Sequence, residues 1–263
     1  MKNIFEAYKI FFMDLLRSIS HYNFWLAYSA QDIKNKYTRS IIGPFWNTIT
    51  IGLIILVVGP LYGIIFGNSG DDYYLHFGIG IIFWNFISST ISDSTLLFIS
   101  ESSYLKQTAL SPLIHIIRMI SRNTIIFFHN LILVILLYFL FNDFHYDSML
   151  IFISFPLLII LLFLICFLCA IITLRFRDFG PLVSNITQLG LFLTPIFWVQ
   201  SNDVRSLYLL LNPFNYMLDI TRGCFNGQFK ISSLLMIFLL TLLLFNLSVF
   251  VYYKFRKRIV YWI

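Results

Sequence analysis

The residues that could do chemistry are few and scattered. Cys166 and Cys169 have the two-residue spacing of a redox or metal-ligand pair, but the run around them, LLIILLFLICFLCAII, is apolar throughout, so they read as packed core side chains. Cys224 reads as a lone loop cysteine, and three cysteines make no disulfide framework. His76, His115, His129 and His145 lie far apart and complete no metal-ligand or nucleophile-base spacing. A membrane-embedded glycosyl- or acyltransferase would need acidic or histidine residues gathered at one membrane face, and this scatter argues against it. Asp93 could relay a proton, yet Ser88, Ser89, Ser92 and Ser94 around it suggest a wetted helix end, and no other span holds a deep carboxyl to receive the proton. Asn85, His129 and Asn130 are isolated polar groups inside apolar runs, readable either as interhelical hydrogen bonds or as functional groups. No GxxxxGK[ST] pattern occurs, so nucleotide chemistry would have to come from a partner.

The elements that must position these groups are set by composition. Of 263 residues, 59% are hydrophobic and 11% charged, which implies one polytopic membrane unit, all-α, with no separate soluble enzyme domain. Glu6, Lys9, Asp14 and Arg17 interrupt the N-terminal apolar stretch, so no cleaved signal peptide is expected. About 20 apolar residues cross the hydrocarbon layer. Six such spans are expected, near 47–66, 74–96, 124–141, 149–174, 182–199 and 231–253. Fifteen of the lysines and arginines fall on one side of this arrangement, and only Arg205, Arg222 and Lys230 on the other. The short loops 67–73 and 142–148 carry Asp71, Asp72, Asp143 and Asp147 and no basic residue. Both termini are therefore expected in the cytoplasm, and the net charge of +6 is read as membrane orientation, not as nucleic-acid binding.

Ahead of the first span, Leu26–Ile42 reads as an amphipathic helix lying on the membrane surface. Leu26, Ala30, Ile33, Tyr37 and Ile41 share one face, while Gln31, Asp32, Lys34, Asn35, Lys36 and Arg39 fall elsewhere. Asp32 and Lys36 are four apart and are expected to pair, and Gly43-Pro44 stops the helix. Between the second and third spans, residues 100–122 form a long connection in which Ser111-Pro112 opens a helical run. Residues 200–230 contain LYLLLNPFNYMLDITRGCF, too apolar for a solvated loop and too short to cross twice. Two short helices dipping part-way into the membrane, broken near Asn212-Pro213, are expected there.

Gly59, Gly63 and Gly67 recur at steps of four and mark a surface for close helix packing. Aromatic residues reach 19% and gather at the outer ends of spans: Tyr62, Phe66, Tyr73, Tyr74 and Phe77 at the first two, Phe192, Phe197, Trp198, Tyr208, Phe214 and Tyr216 around the fifth. An interfacial aromatic belt accounts for such a distribution. Sugar rings also stack on aromatic faces, and a path so lined offers many weak, sliding contacts.

The chain resembles the polysaccharide-exporting ABC transporter permeases of the type-2 exporter family, the group that includes the Wzm-type O-antigen, capsule and teichoic acid permeases. Residues 31–37 (QDIKNKY), Arg39-Ser40 and Gly43-Pro44-Phe45-Trp46 resemble that family's entry to its first span, with Gln31 where arginine is usual. Leu105-Lys106 with Leu110, Ser111 and Pro112, Arg175-Phe176-Arg177-Asp178, Leu193-Thr194-Pro195-Ile196, and Leu211-Asn212-Pro213 with Arg222 resemble its later motifs in order. The resemblance spans nearly the whole chain.

That resemblance implies a single transmembrane domain over 1–263: interface helix 26–42, six-span permease 47–253 and extracytoplasmic gate region 200–230. It implies a homodimer in the bacterial inner membrane bound to two copies of a cytoplasmic ABC ATPase, which would bind the ATP and Mg and do the hydrolysis. Asp32, Lys34, Lys36, Arg39, Leu105, Lys106, Ser111 and Pro112 would dock the ATPase and couple to it. Tyr62, Phe66, Tyr73, Tyr74, Phe197 and Trp198 would line a polysaccharide path, and Asn212, Pro213 and Arg222 would belong to the gate. The cargo implied is an undecaprenyl-linked polysaccharide, O antigen first, with capsule or teichoic acid as alternatives. A small-molecule or drug exporter of the same architecture is the other alternative, and it would show a compact closed pocket.

Overall fold

The computed structural model describes residues 2–67, 70–107, 110–141, 149–199, 207–225, 227, 229–256 and 258–262. The acidic loop residues 142–148, with His145, and residues 200–206, with Arg205, lie outside that set, as does Lys257. In chain order the helices are α1 (Lys2–Ser20), α2 (Tyr22–Lys36), α3 (Phe45–Ile65), α4 (Asp71–Ser100), α5 (Ser102–Gln107) and α6 (Leu113–Phe141). They continue with α7 (Ile151–Arg175), α8 (Phe179–Leu193), α9 (Leu207–Leu211), α10 (Pro213–Phe225), α11 (Ile231–Phe255) and α12 (Ile259–Trp262). No strand occurs among the described residues.

Five of these helices, α3, α4, α6, α7 and α11, are long and apolar enough to cross a membrane. The fifth expected span differs. Its helix, α8, has 15 residues and ends at Leu193, because the following Thr194-Pro195 leaves α geometry. At 1.5 Å per residue α8 is about 22 Å long, short of the roughly 30 Å hydrocarbon layer. Its two ends nevertheless sit at opposite ends of α4. A Cβ at Gly180 would lie 3.7 Å from the Thr95 hydroxyl, and the Pro195 carbonyl lies 3.1 Å from His76 Nε2.

α4 is the central helix, surrounded by other helices although its sequence mixes apolar residues with Asn85, Asp93 and several serines and threonines. Ile79, Ile82, Phe83, Phe86 and Ile87 are all buried, and α3, α6, α7, α8 and α10 pack around them. Thr48, Ile51, Ile55, Gly59 and Gly63, spaced three or four apart, form the buried face of α3. A Cβ at Gly59 would meet the Phe77 ring at 3.3 Å, so close approach there depends on glycine. Gly67 does a different job from the packing expected of it. Its φ is +67° with open space around it, and it ends α3 in the left-handed conformation that costs glycine least.

α1 was not apparent as a separate element in the sequence. Its Phe11 is fully buried and meets Phe245 and Tyr252 of α11 edge-on, at 5.7 and 5.4 Å, while Phe5, Phe12 and Leu16 stay exposed. Asp14 accepts hydrogen bonds from Tyr252 (2.8 Å) and Arg256 (3.1 Å), fixing α1 to the end of α11. Cys224 also departs from expectation: it is buried in α10, 3.3 Å from Ser154 of α7.

Tight packing of α4, α8 and α10 converges on one glycine. A Cβ at Gly190 would stand 2.9 Å from the Trp84 ring and 3.1 Å from the Phe214 ring, which themselves pack at 5.3 Å. Gly190→Ala is expected to destabilise the fold by about 1–3 kcal/mol, the usual cost of overpacking. Thermal melts in detergent check this, and a double-mutant cycle with Trp84→Phe should show coupling; additive effects would mean that ring is not the obstacle.

Candidate functional site

Three groups of residues stand out, one at each end of the bundle and one along α8. The first is at the basic end, where α2 lies against α6. Arg118, only 8% exposed, donates to both oxygens of Asp32, at 2.7 and 2.5 Å, and to Glu101 at 2.8 Å. His115 Nδ1 is 3.5 Å from the same Glu101 oxygen, and the Ser29 hydroxyl donates to the Arg118 carbonyl at 2.8 Å. One guanidinium thus ties α2 to the end of α4 and the start of α6. Burial works against the charged Glu101, but its contacts with His115 and Arg118 outweigh that and hold its carboxyl below the ordinary 4.5.

This geometry corrects two expectations. Asp32 pairs with Arg118 and not with Lys36, because the guanidinium offers a bidentate, partly desolvated partner that an exposed lysine cannot match. The inward face of α2 is Ser29, Asp32 and Ile33, turned onto α6; the helix starts at Tyr22 and ends at Lys36, short of Ile42. The chain then turns through Arg39 at φ +71° and Gly43 at φ +61°, with Ser40 Oγ accepting from the Gly43 amide at 3.0 Å. Ile41 is fully exposed past the end of the helix, and Leu26 also faces outward.

Of the other residues expected to dock a partner, Lys34, Lys36, Arg39 and Lys106 are exposed around this end. Leu105 is buried and anchors α5, and the Tyr28 and Tyr104 rings, 6.3 Å apart, join α2 to α5. Ser111 and Pro112 open α6: Ser111 Oγ accepts from the Leu113 amide at 3.3 Å, with proline in the first turn, where its missing N–H costs nothing. Ser111 also lies 3.1 Å from the Tyr252 hydroxyl.

The second group is at the opposite end. Arg222 of α10 donates to the Pro195 carbonyl at 2.5 Å and to His76 Nε2 at 3.0 Å, with Asp219 at 3.7 Å. Asn212 separates α9 from α10. Its Oδ1 accepts from the Phe214 amide (3.0 Å), capping α10 with Pro213 as first helical residue, and its Nδ2 donates to the Thr194 hydroxyl (3.1 Å). Two of the three gate candidates, Asn212 and Arg222, therefore hold α10 against the segment that follows α8, and Pro213 opens α10.

The aromatic candidates gather beside them. Phe197 is central, with the Tyr62, Phe77 and Phe192 rings at 4.8, 5.7 and 5.8 Å, and its carbonyl accepts from the Tyr73 hydroxyl at 2.8 Å. Tyr62 stacks on Phe66, and Trp198 Nε1 donates to the Phe192 carbonyl. Tyr73 and Phe197 are buried and act as packing, with Tyr74 beside Tyr73. Phe66 and Phe192 present open faces.

The third group was missed in the sequence. At 100° per residue, α8 divides into three arcs. Val183, Thr187 and Gly190 are buried against the bundle. Leu182, Ile186, Leu189 and Leu193 form an exposed apolar arc. Ser184, Asn185 and Gln188, with Phe192 at the end, form an exposed arc that is polar, and lipid would solvate it poorly. The signal in the sequence is a three-way periodicity within a run whose overall composition is apolar.

Two comparisons bear on these groups. The model of the family described as ABC-2 type transporter matches residues 23–226. The O-antigen export system permease protein RfbA of Myxococcus xanthus is 23% identical over 220 residues, which cover 80% of this chain and 84% of that protein.

Arg118→Leu leaves two carboxylates without their cation and is expected to destabilise the α2 contact by about 3–5 kcal/mol. Faster proteolysis within α2 would show it, with α11 unaffected. Because the folded Glu101 carboxyl sits below 4.5, its contribution is complete above that pH and is lost as pH falls through the lower folded value. Glu101→Gln should flatten that acid limb in pH-dependent melts; an unchanged limb would assign it to other groups.

Proposed function

The chain belongs to the ABC-2 type transporter family, and from that premise we propose that it is the membrane subunit of an ATP-driven exporter of lipid-linked polysaccharide, with lipopolysaccharide O antigen as the cargo. The observation that carries the cargo class is the polar arc of α8 leading to the aromatic cluster. Ser184, Asn185 and Gln188 exchange hydrogen bonds with a hydrated chain as readily as with water, and Phe192 and Phe66, the latter backed by Tyr62, offer faces on which sugar rings stack. No contact in such a strip is strong, so a polymer can slide along it. The similarity to the Myxococcus xanthus permease supports O antigen over capsule or teichoic acid.

The remaining parts follow from the same reading. One polar arc is half a channel wall, so two copies of the chain would face each other across the path. α8, extended by residues 194–199 and joined to both ends of α4, would count as the sixth crossing beside the five long helices. The basic end would lie in the cytoplasm of a bacterium, under the positive-inside rule. ATP and Mg would be bound by two copies of a separate ATPase, docked on Lys34, Lys36, Arg39 and Lys106. Its strokes would pass through Asp32, Arg118 and Glu101 into α4 and α6 together. At the far end, α9 and α10, clamped by Asn212 and Arg222, would open as the gate.

Cells lacking the chain should lose surface polymer and accumulate undecaprenyl-linked glycan inside, with rescue only by the permease together with its ATPase. Normal surface glycan with nothing trapped would remove the polymer reading in favour of a small-molecule exporter. Ser184→Leu with Gln188→Leu should leave membrane insertion and ATPase association intact while cutting surface polymer about tenfold, roughly one lost hydrogen bond in transport free energy. Unchanged export by that double variant would return α8 to the lipid-facing or packing surface.

A further inference from the structure

Between the turn after α2 and helices α3, α4 and α6 lies a small polar cavity of about 100 Å³. Asparagines from three helices converge on it, and in the sequence they were isolated. Asn130, 1% exposed, accepts from the Thr48 hydroxyl at 2.8 Å through Oδ1, and its amide nitrogen has no hydrogen-bond partner among the described residues. Asn47 donates to Asn85 at a long 3.4 Å, which leaves the Asn47 oxygen and the Asn85 nitrogen without a partner among the described residues. Asp93 spends one oxygen on Arg122 (2.6 Å) and Asn123 (3.1 Å), and the other is free among the described residues.

Such a set is costly inside a membrane. The costly member is the Asn130 amide, on a residue only 1% exposed, while Asp93 keeps 35% of its side chain exposed, and buried polar groups without partners are rare where only packing is served. The cavity is also placed to communicate. Asp93 is about 10 Å along α4 from its end at Ser100, and Asn85 about 22 Å, so the cavity reaches from near the basic end toward the middle of the bundle.

The donor and acceptor pattern selects the ligand. A phosphate site offers donors alone, whereas here the free Asp93 and Asn47 oxygens would repel an anion. A metal cation would want the reverse and would meet Lys36 and Arg122 nearby. Amides that both give and take, above the Phe86 and Phe127 rings, suit hydroxyl groups on a carbon ring. The volume has room for a few waters at about 30 Å³ each, thus for the hydroxyl-bearing edge of one sugar and not a whole polymer segment.

We propose that this cavity is a loading site that takes the hydroxyl edge of a single sugar unit of the cargo as it enters from the basic end. The site rests on the polysaccharide reading above and adds to it a place where the glycan is held before it reaches the α8 strip. Ser89 lines the cavity and is half-buried, which makes it a reporter.

The test uses inverted inner-membrane vesicles that carry the full chain as Ser89→Cys, together with an ATPase partner unable to hydrolyse ATP. One set comes from cells making the glycan, the other from cells that do not. A small, charged thiol reagent should modify the new cysteine in glycan-free vesicles and react about fivefold more slowly where lipid-linked glycan has accumulated, in line with about 1 kcal/mol of occupancy. Equal rates with the glycan trapped would overturn the site and leave polymer export standing, and so would no reaction in either set. Failure of glycan to accumulate would overturn the polymer reading and the site with it. Asn85→Leu removes only a long hydrogen bond, so it is expected to melt like the parent chain and to export about tenfold less polymer. Unchanged export by that variant would also overturn the site.

Discussion

The fold at the basic end depends on one guanidinium. Arg118 is almost wholly out of solvent, and a buried cation is tolerable only when its donors are spent on paired acceptors. Asp32 and Glu101 supply them from two other parts of the chain, 86 and 17 residues away. The result is not primarily a gain in stability, since desolvating three charges costs much of what their attraction returns. It is a constraint on position: α2 cannot shift without moving the ends of α4 and α6, or else stranding a charge.

A similar constraint operates at the other end. Arg222 is tied to a backbone carbonyl at Pro195, a position freed because proline and the preceding threonine leave the helical ladder. The carbonyl needs a donor, the guanidinium needs acceptors, and each solves the other's problem inside the bundle. Asn212 does the same for the start of α10 and for Thr194. α10 is thus held both by polar bonds to irregular backbone and by Met217, Leu218 and Ile220, which are buried in the same core as α4. Such bonds can be exchanged for water one at a time, whereas the apolar contacts of α10 cannot.

How much of this was legible in the sequence depended on the range of the interaction. The apolar runs located α3, α7 and α11 to within a few residues, because burial in lipid and helix formation act locally. The helical run expected to open at Ser111-Pro112 and the apolar span expected from Thr124 are one continuous helix, α6, which carries Arg118, Arg122 and Asn123 along its first half. Asp32, Glu101 and Asp93 neutralise or bond these residues, and nothing near them in sequence announces those partners. The Asp32–Lys36 pair failed for the same reason, as a four-residue spacing is only one of the contacts available to a carboxylate. The break at Asn212-Pro213 was legible because a cap and a proline act within one turn. Of the aromatic group, the sequence located the cluster but could not separate buried Tyr73 and Phe197 from open Phe66 and Phe192, a distinction made only by tertiary packing.

The three-way division of α8 shows why a short helix serves here. A helix facing protein on one side and lipid on the other needs two faces, and an uninterrupted apolar span provides them. A third, polar arc narrows both, so the helix has less apolar surface with which to anchor itself. Gly190 offsets this by letting α8 approach Trp84 and Phe214 to the limit of contact. The Thr194-Pro195 break then lets the chain reach His76 without extending the helix. Lengthening α8 by another turn would bring more apolar surface into the membrane, but it would remove the free carbonyl that holds Arg222. The shortness of α8 and the polar clamp at its end are therefore a single feature: the helix stops where the irregular backbone is needed to bind the segment that closes over it.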